Sequence, residues 1–177
     1  MKILAFGASN SRNSINKKLA IFTAKEIDRA ELRILDLNDF EMPIFSADRE
    51  AETGIPKLAH DFKEATKWAD GIVVSFAEHN GAYSTAFKNI FDWVSRIEKS
   101  FWNDKPLFLL ATSPGARGGK SVLDIAFKRF SYGYEPIIAV FSLPSFYANF
   151  KEEEGILDSE LDTSFRNELA KFISGIS

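Results

Sequence analysis

Residues 2–25 read Lys2-Ile3-Leu4-Ala5-Phe6-Gly7-Ala8-Ser9-Asn10-Ser11-Arg12-Asn13-Ser14-Ile15-Asn16-Lys17-Lys18-Leu19-Ala20-Ile21-Phe22-Thr23-Ala24-Lys25. The run Ile3–Phe6 is continuously apolar, as in a strand covered on both faces. After Gly7 small hydroxyl and amide side chains take over. From Ile15 the apolar residues return at helical spacing: Ile15, Leu19, Phe22 and Ile27 share one face, and Lys17, Lys18 and Lys25 fall away from it. A strand that passes through a polar turn into an amphipathic helix is the opening of a β–α unit. Whether the unit repeats decides the fold.

It does repeat. Further β-rich runs lie at Leu32–Leu37, Gly71–Phe76, Leu107–Thr112 and Ile137–Leu143. Helical periodicity returns between and after them, with Leu58, Phe62 and Ala65 on one face, then Phe87, Ile90, Phe91 and Val94, then Val122 to Phe130, and finally Leu161 to Ile176. Strands one, three and four are nearly continuous in apolar residues, which predicts a parallel sheet with helices on both faces. Right-handed crossovers leave few topologies, and five such units fit an α/β, flavodoxin-like three-layer sandwich with strand order 2-1-3-4-5. Residues 1–177 are read as one domain of this kind. Its one long connection, Asn38 to Ile55, has the length of a functional or partner-facing loop.

Composition narrows the function classes. The 177 residues are 45% hydrophobic and 27% charged, and 22 basic against 25 acidic residues give a formal charge of −3. No broad basic footprint for nucleic acid or an anionic membrane follows from that balance. There is no cysteine, so thiolate metal sites, iron–sulfur clusters, disulfides and cysteine nucleophiles are excluded, and His60 and His79 alone make a histidine-rich metal site a poor reading. The N-terminal apolar stretch is too short for an export signal, and no run approaches the roughly 20 residues of a membrane span. A cytoplasmic protein is expected.

In such sheets ligands bind outside the carboxyl ends of the strands, where strand order reverses, so the loops after strands one, three and four are the candidate site. The first, Gly7 to Asn16, joins free backbone N–H groups at a helix start to the hydroxyls of Ser9, Ser11 and Ser14, a set suited to a phosphate monoester; Arg12 adds a charge. Helix capping by Ser14 in a polar turn explains part of the same pattern. No Gly-x-Gly-x-x-Gly is present, no Gly-Lys-Ser/Thr ends the loop, and the last glycine of a hydrolase nucleophile elbow is missing. The second loop, Phe76-Ala77-Glu78-His79-Asn80-Gly81-Ala82-Tyr83, carries a tight-turn signal at Asn80-Gly81 and leads into a helix with Lys88-Asn89-Ile90-Phe91-Asp92-Trp93. The third is Ser113-Pro114-Gly115-Ala116-Arg117-Gly118-Gly119.

These three segments, in this order at these strand ends, resemble the NADPH-dependent FMN reductase family of flavin, quinone, azo-dye and chromate reductases, over nearly the whole chain. The resemblance implies that Ser9, Ser11, Ser14 and Asn16, with the backbone of Ile15, hold the phosphate of FMN. It implies that Phe76, Ala77, Glu78, His79, Asn80 and Gly81 pass along the ribityl chain and ring. Ser113, Pro114, Gly115 and Gly118 would approach the pyrimidine side. Ala77 and His79 stand where the family often has proline and tyrosine, and Ser11 where it often has arginine.

The resemblance further implies an FMN-dependent NAD(P)H oxidoreductase that reduces flavin, quinone or similar small acceptors by ping-pong hydride transfer, with NADPH or NADH as donor. The cofactor carries the chemistry, so no side chain is assigned as general acid or base. His79 is the candidate for tuning, because an imidazole changes charge near neutral pH. Arg12 and Arg117 are candidates for meeting a 2′-phosphate. Relatives of this kind form homodimers or tetramers with the flavin near the interface, and Phe91, Trp93, Val94, Ile97, Phe101 and Trp102 are the apolar residues on offer for it, although an aromatic stripe at helical spacing is more often core than interface. The alternative is a flavodoxin-type FMN electron carrier without NAD(P)H oxidation, although its usual phosphate loop and acidic face are missing. A receiver-like signalling domain ranks last, because strands one and three end without aspartate.

Overall fold

The computed structural model describes residues 1–176. At its centre five parallel strands, β1 (Lys2–Ala8), β2 (Glu31–Leu35), β3 (Gly71–Phe76), β6 (Leu107–Thr112) and β7 (Ile138–Leu143), lie in the order β2-β1-β3-β6-β7. This is the order expected from the sequence. The labels between belong to a short hairpin, β4 (Glu78–His79) and β5 (Ala82–Tyr83), and a second small one, β8 (Phe150–Lys151) and β9 (Gly155–Ile156), follows the sheet.

Period-two alternation divides the sheet's side chains between two cores. One row runs through Phe6, Val74, Leu109 and Val140, which are register partners from strand to strand. It packs under α3 (Lys57–Trp68), α4 (Thr85–Val94) and α5 (Lys120–Phe130). The next row, Ala5, Val73, Phe108 and Ala139, faces the other way, under α1 (Ile15–Lys25) and α6 (Ser159–Ser174). Burial on both faces is why the strands read as continuous apolar runs rather than alternating ones.

Several boundaries differ from expectation. The second strand was expected at Leu32–Leu37 but ends at Leu35, because the Asp36 carboxylate accepts a hydrogen bond from the Asn38 amide at 2.9 Å and turns the chain into a 3₁₀ turn at Leu37–Phe40. The long connection is not structureless. It holds that turn and a short helix, α2 (Ala47–Thr53), capped by Ser46. Its middle is tied to α4: Asn89 accepts from the Phe45 amide and donates to the carbonyls of Met42 and Pro43, and the Trp93 indole N–H donates to Pro43 at 2.7 Å.

The apolar residues offered for a partner are also reassigned. Phe91, Trp93, Val94, Phe101 and Trp102 are buried in the chain's own core, with Ile97 packed against it. The segment after α4 folds back over the sheet, and there Phe87, Phe91, Phe101, Trp102 and Phe130 form a cluster with ring centroids 4.3–6.5 Å apart. A stripe of this kind at helical spacing is core.

Candidate functional site

Gly7 sets the site's geometry. A Cβ there would lie 2.5 Å from the Lys17 amide nitrogen and 2.6 Å from its Cα, so only glycine lets α1 press against the end of β1. The first turn of α1 is thereby brought to the carboxyl edge of the sheet. Ser14 caps it: its Oγ accepts from the Lys17 amide at 3.2 Å and keeps its own hydrogen for another acceptor. Ser9 Oγ likewise accepts from the Ser11 amide at 3.1 Å and retains a donor. With the Ile15 and Asn16 amides, which have no intrahelical acceptor in the first turn, these hydroxyls form a donor cluster at the positive end of a helix.

Asn16 plays a different part from the one expected. It is 3% exposed, and its side chain turns down into the sheet. Its Oδ1 accepts from Ser75 Oγ at 2.7 Å and from the Thr112 amide at 3.0 Å, while Nδ2 donates to the Thr112 carbonyl at 3.1 Å. The residue joins α1 to the ends of β3 and β6. Its side chain is therefore committed to positioning the loops, and the donor it leaves at the helix start is its backbone N–H.

The loop after β3 is built around Asn80-Gly81, both at positive φ (52° and 78°), the signature of a two-residue hairpin turn joining β4 to β5. Glu78 is fixed by its carboxylate, which accepts from the Val122 amide in the first turn of α5 at 3.2 Å. Ser84 caps α4 and donates to the Ala8 carbonyl at 2.8 Å, holding this hairpin against the first loop. After β6, Ser113 Oγ donates to the Gly115 carbonyl at 3.2 Å. The turn is then bonded to the chain beyond β7, the amides of Ser145 and Phe146 donating to the carbonyls of Gly115 and Ser113 at 3.0 Å each.

These loops enclose a depression of about 240 Å³, lined by Ser9, Ser11, Ser14, Ile15, Asn16, Ala77, Glu78, His79, Ser113 and Pro114. Ten of the residues expected at the site thus meet in one space. Five others do not line it. Phe76 is fully buried and turns into the aromatic core, Asn80 and Gly81 form the hairpin tip, and Gly115 lies on the outer turn. Gly118 is held against β7, where a Cβ would lie 2.5 Å from Ser142 Oγ. Its missing side chain serves packing. The depression also takes in Asn13, Thr112 and Tyr147, which sequence reasoning missed. Asn13 and Thr112 border segments already singled out, whereas Tyr147 gave no signal at all.

A second depression, about 330 Å³, lies on the other side of His79. Asn10, Phe40, Met42, Thr85 and Asn89 are among its walls. Among the described residues no group of acids and histidines is arranged for a metal ion, and no helix is long and apolar enough to cross a membrane. The residues fit a bound FMN: a donor cluster for a phosphate monoester sits between two loops whose backbones border the remaining space. Lys17, the cation nearest that cluster in sequence, is committed to Asp36, whose carboxyl it draws down to about 2. The donor set is therefore mainly neutral, with Arg12 exposed at the loop's outer edge.

Comparison with known proteins agrees. The family model for NADPH-dependent FMN reductase matches residues 1–149. The chain is 31% identical over 119 residues to a 2-hydroxy-1,4-benzoquinone reductase of Burkholderia sp, covering 67% of this chain and 63% of that one. It is 29% identical over 128 residues to a probable NADPH:quinone oxidoreductase 2 of Oryza sativa subsp. japonica, covering 71% and 62%. In both cases the match spans less than two thirds of the relative's length. Among solved structures, a flavoenzyme NAD(P)H:(acceptor) oxidoreductase from Paracoccus denitrificans superposes with a TM-score of 0.76 at 20% identity, over 99% of this chain and 96% of that one, which supports the fold. With 149 of its 177 residues matched, the chain belongs to the NADPH-dependent FMN reductase family.

Proposed function

We propose that the protein is an FMN-dependent NAD(P)H oxidoreductase that reduces quinones, flavins or similar small acceptors in a ping-pong cycle. The observation that carries this is the meeting, in one depression, of Ser9 and Ser14 hydroxyls with the first-turn amides of α1 and the loops after β3 and β6. When bound, FMN supplies hydride acceptance from a nicotinamide and electron delivery to a second substrate.

The chain's own part is binding and orientation. Ser9, Ser14 and the amides of Ile15 and Asn16 hold the phosphate. Backbone groups from Ala77 to His79 and from Ser113 to Pro114 border the rest of the cofactor. Donor and acceptor enter in turn from the side of His79, where the second depression mixes apolar Phe40 and Met42 with the amides of Asn10 and Asn89. That mixture suits a flat, partly polar ring, and quinone-reducing relatives point the same way. His79 is exposed and borders both spaces, which makes it the side chain able to meet both substrates.

The test is the visible spectrum of purified protein supplied with FMN, followed anaerobically after adding NADPH or NADH and then a benzoquinone. The flavin bands should bleach with nicotinamide alone and return with the quinone. Uptake of FMN without bleaching by either nucleotide would instead identify an electron carrier. A homodimer belongs to the same reading, and sedimentation should give twice 19.9 kDa; a species of 19.9 kDa alone contradicts it.

A further inference from the structure

A lone exposed aromatic is ordinary on a protein surface. Tyr147 is set apart by its foundation. Its side chain is 73% exposed, yet it stands on a tightly fixed four-residue turn, Phe146–Asn149. Ser145, just before it, holds φ 48° and ψ 56°, a left-handed conformation that a non-glycine residue keeps only where its surroundings enforce it. Here they do. The Ser145 and Phe146 amides are bonded to the Ser113–Gly115 turn, the amides of Ala148 and Asn149 donate back to the Ser145 carbonyl, and Asn149 Nδ2 donates to the Pro144 carbonyl at 2.9 Å. Phe146 is buried and stacks on Phe150 with centroids 4.9 Å apart. Five hydrogen bonds thus hold this strained turn in place, and it carries an aromatic ring to the rim of the depression that contains Ser9, Ser14 and Ser113.

The ring also divides two spaces. On its inner side is the phosphate-binding depression, and on its outer side a hollow lined by Lys18, Phe150 and Glu152 to Glu154. Among the described residues Tyr147 alone borders both. We propose that Tyr147 is a cofactor-binding residue that walls in FMN on the α1 side, packing its ring against the bound cofactor and slowing its release, while substrates use the opposite, His79 side. The proposal rests on the FMN reading given above. Aromatic contact and exclusion of water supply the affinity, and the phenol oxygen is dispensable.

The test is fluorescence titration of apoprotein with FMN, with the release rate measured by dilution, in wild type, Tyr147→Ala, Tyr147→Leu and Tyr147→Phe. Thermal melting checks folding, which the exposed ring should affect little. Tyr147→Ala and Tyr147→Leu should weaken FMN about tenfold, mainly through faster release. Tyr147→Phe should stay within about twofold of wild type. With FMN saturating, KM for NADPH and for a benzoquinone should not change. Wild-type FMN affinity and release in the alanine variant would overturn the proposal, as would an unchanged FMN affinity with a raised KM for either substrate. Failure of the wild-type apoprotein to bind FMN at all would instead overturn the underlying reading, and this one with it.

Discussion

Asn16 shows how one side chain can carry the site without touching a ligand. Its amide satisfies both the N–H and the carbonyl of Thr112 and the hydroxyl of Ser75, all of them buried. Replacing it with alanine strands these groups, so Asn16→Ala should lower unfolding free energy by about 2–4 kcal/mol. Urea denaturation measures the loss, and FMN affinity should fall with it because the three loops lose their common tie. Asn16 was legible in the sequence as a site residue and illegible in its role. Its partners lie 59 and 96 residues away, and no local pattern reports a contact across the sheet. Ser9 and Ser14, expected at a phosphate, line the depression; Ser14 was legible because a serine at a helix start has a local capping signature. Tyr147 has none: its setting depends on hydrogen bonds to a turn some 30 residues earlier.

At the scale of elements, the joint between β2 and the 3₁₀ turn is held by Asp36, which pairs with Lys17 of α1 and caps the turn through Asn38. The Lys17 hydrogen bond leads in drawing this carboxyl down from 3.8 to about 2, followed by the Asn38 amide. A carboxyl depressed in the folded state binds its proton less tightly there than in the unfolded chain. Its contribution is therefore fully present above about pH 4 and lost as pH falls through about 2. Asp36→Asn should flatten part of the acid limb of a stability-against-pH curve between those limits. The change should be small, since both partners are partly exposed and salt screens them. This joint is also where the strand prediction overran. Leu37 is apolar and buried, so it extended the run, but the Asp36 cap had already turned the chain. The strands in the middle of the sheet were placed well because burial on both faces leaves a continuous apolar run.

For the whole molecule, the unequal distribution of aromatics matters most. Phe87 meets Phe6, Phe76, Tyr83, Phe91, Phe101 and Trp102, joining the sheet to the hairpin after β3 and to the segment after α4. Phe87→Ala should cost about 3–5 kcal/mol. A fall in the urea midpoint with an unchanged m-value would check it, and a loss under about 1 kcal/mol would contradict so central a place. The same cluster explains why sequence alone left the Phe91–Trp102 stripe open between core and interface. An apolar face predicts burial, and only the tertiary fold says against what.

The proposed function puts the phosphate of FMN on the amino end of α1 between Ser9 and Ser14. Calorimetric titration of the apoprotein with FMN and with riboflavin, which lacks the phosphate, is the measurement that decides it. Two hydroxyl and two amide donors to an anion should make FMN bind at least about a hundredfold more tightly. The double variant Ser9→Ala, Ser14→Ala should close most of that gap while riboflavin affinity holds. Equal affinity of the wild-type protein for FMN and riboflavin would contradict the assignment.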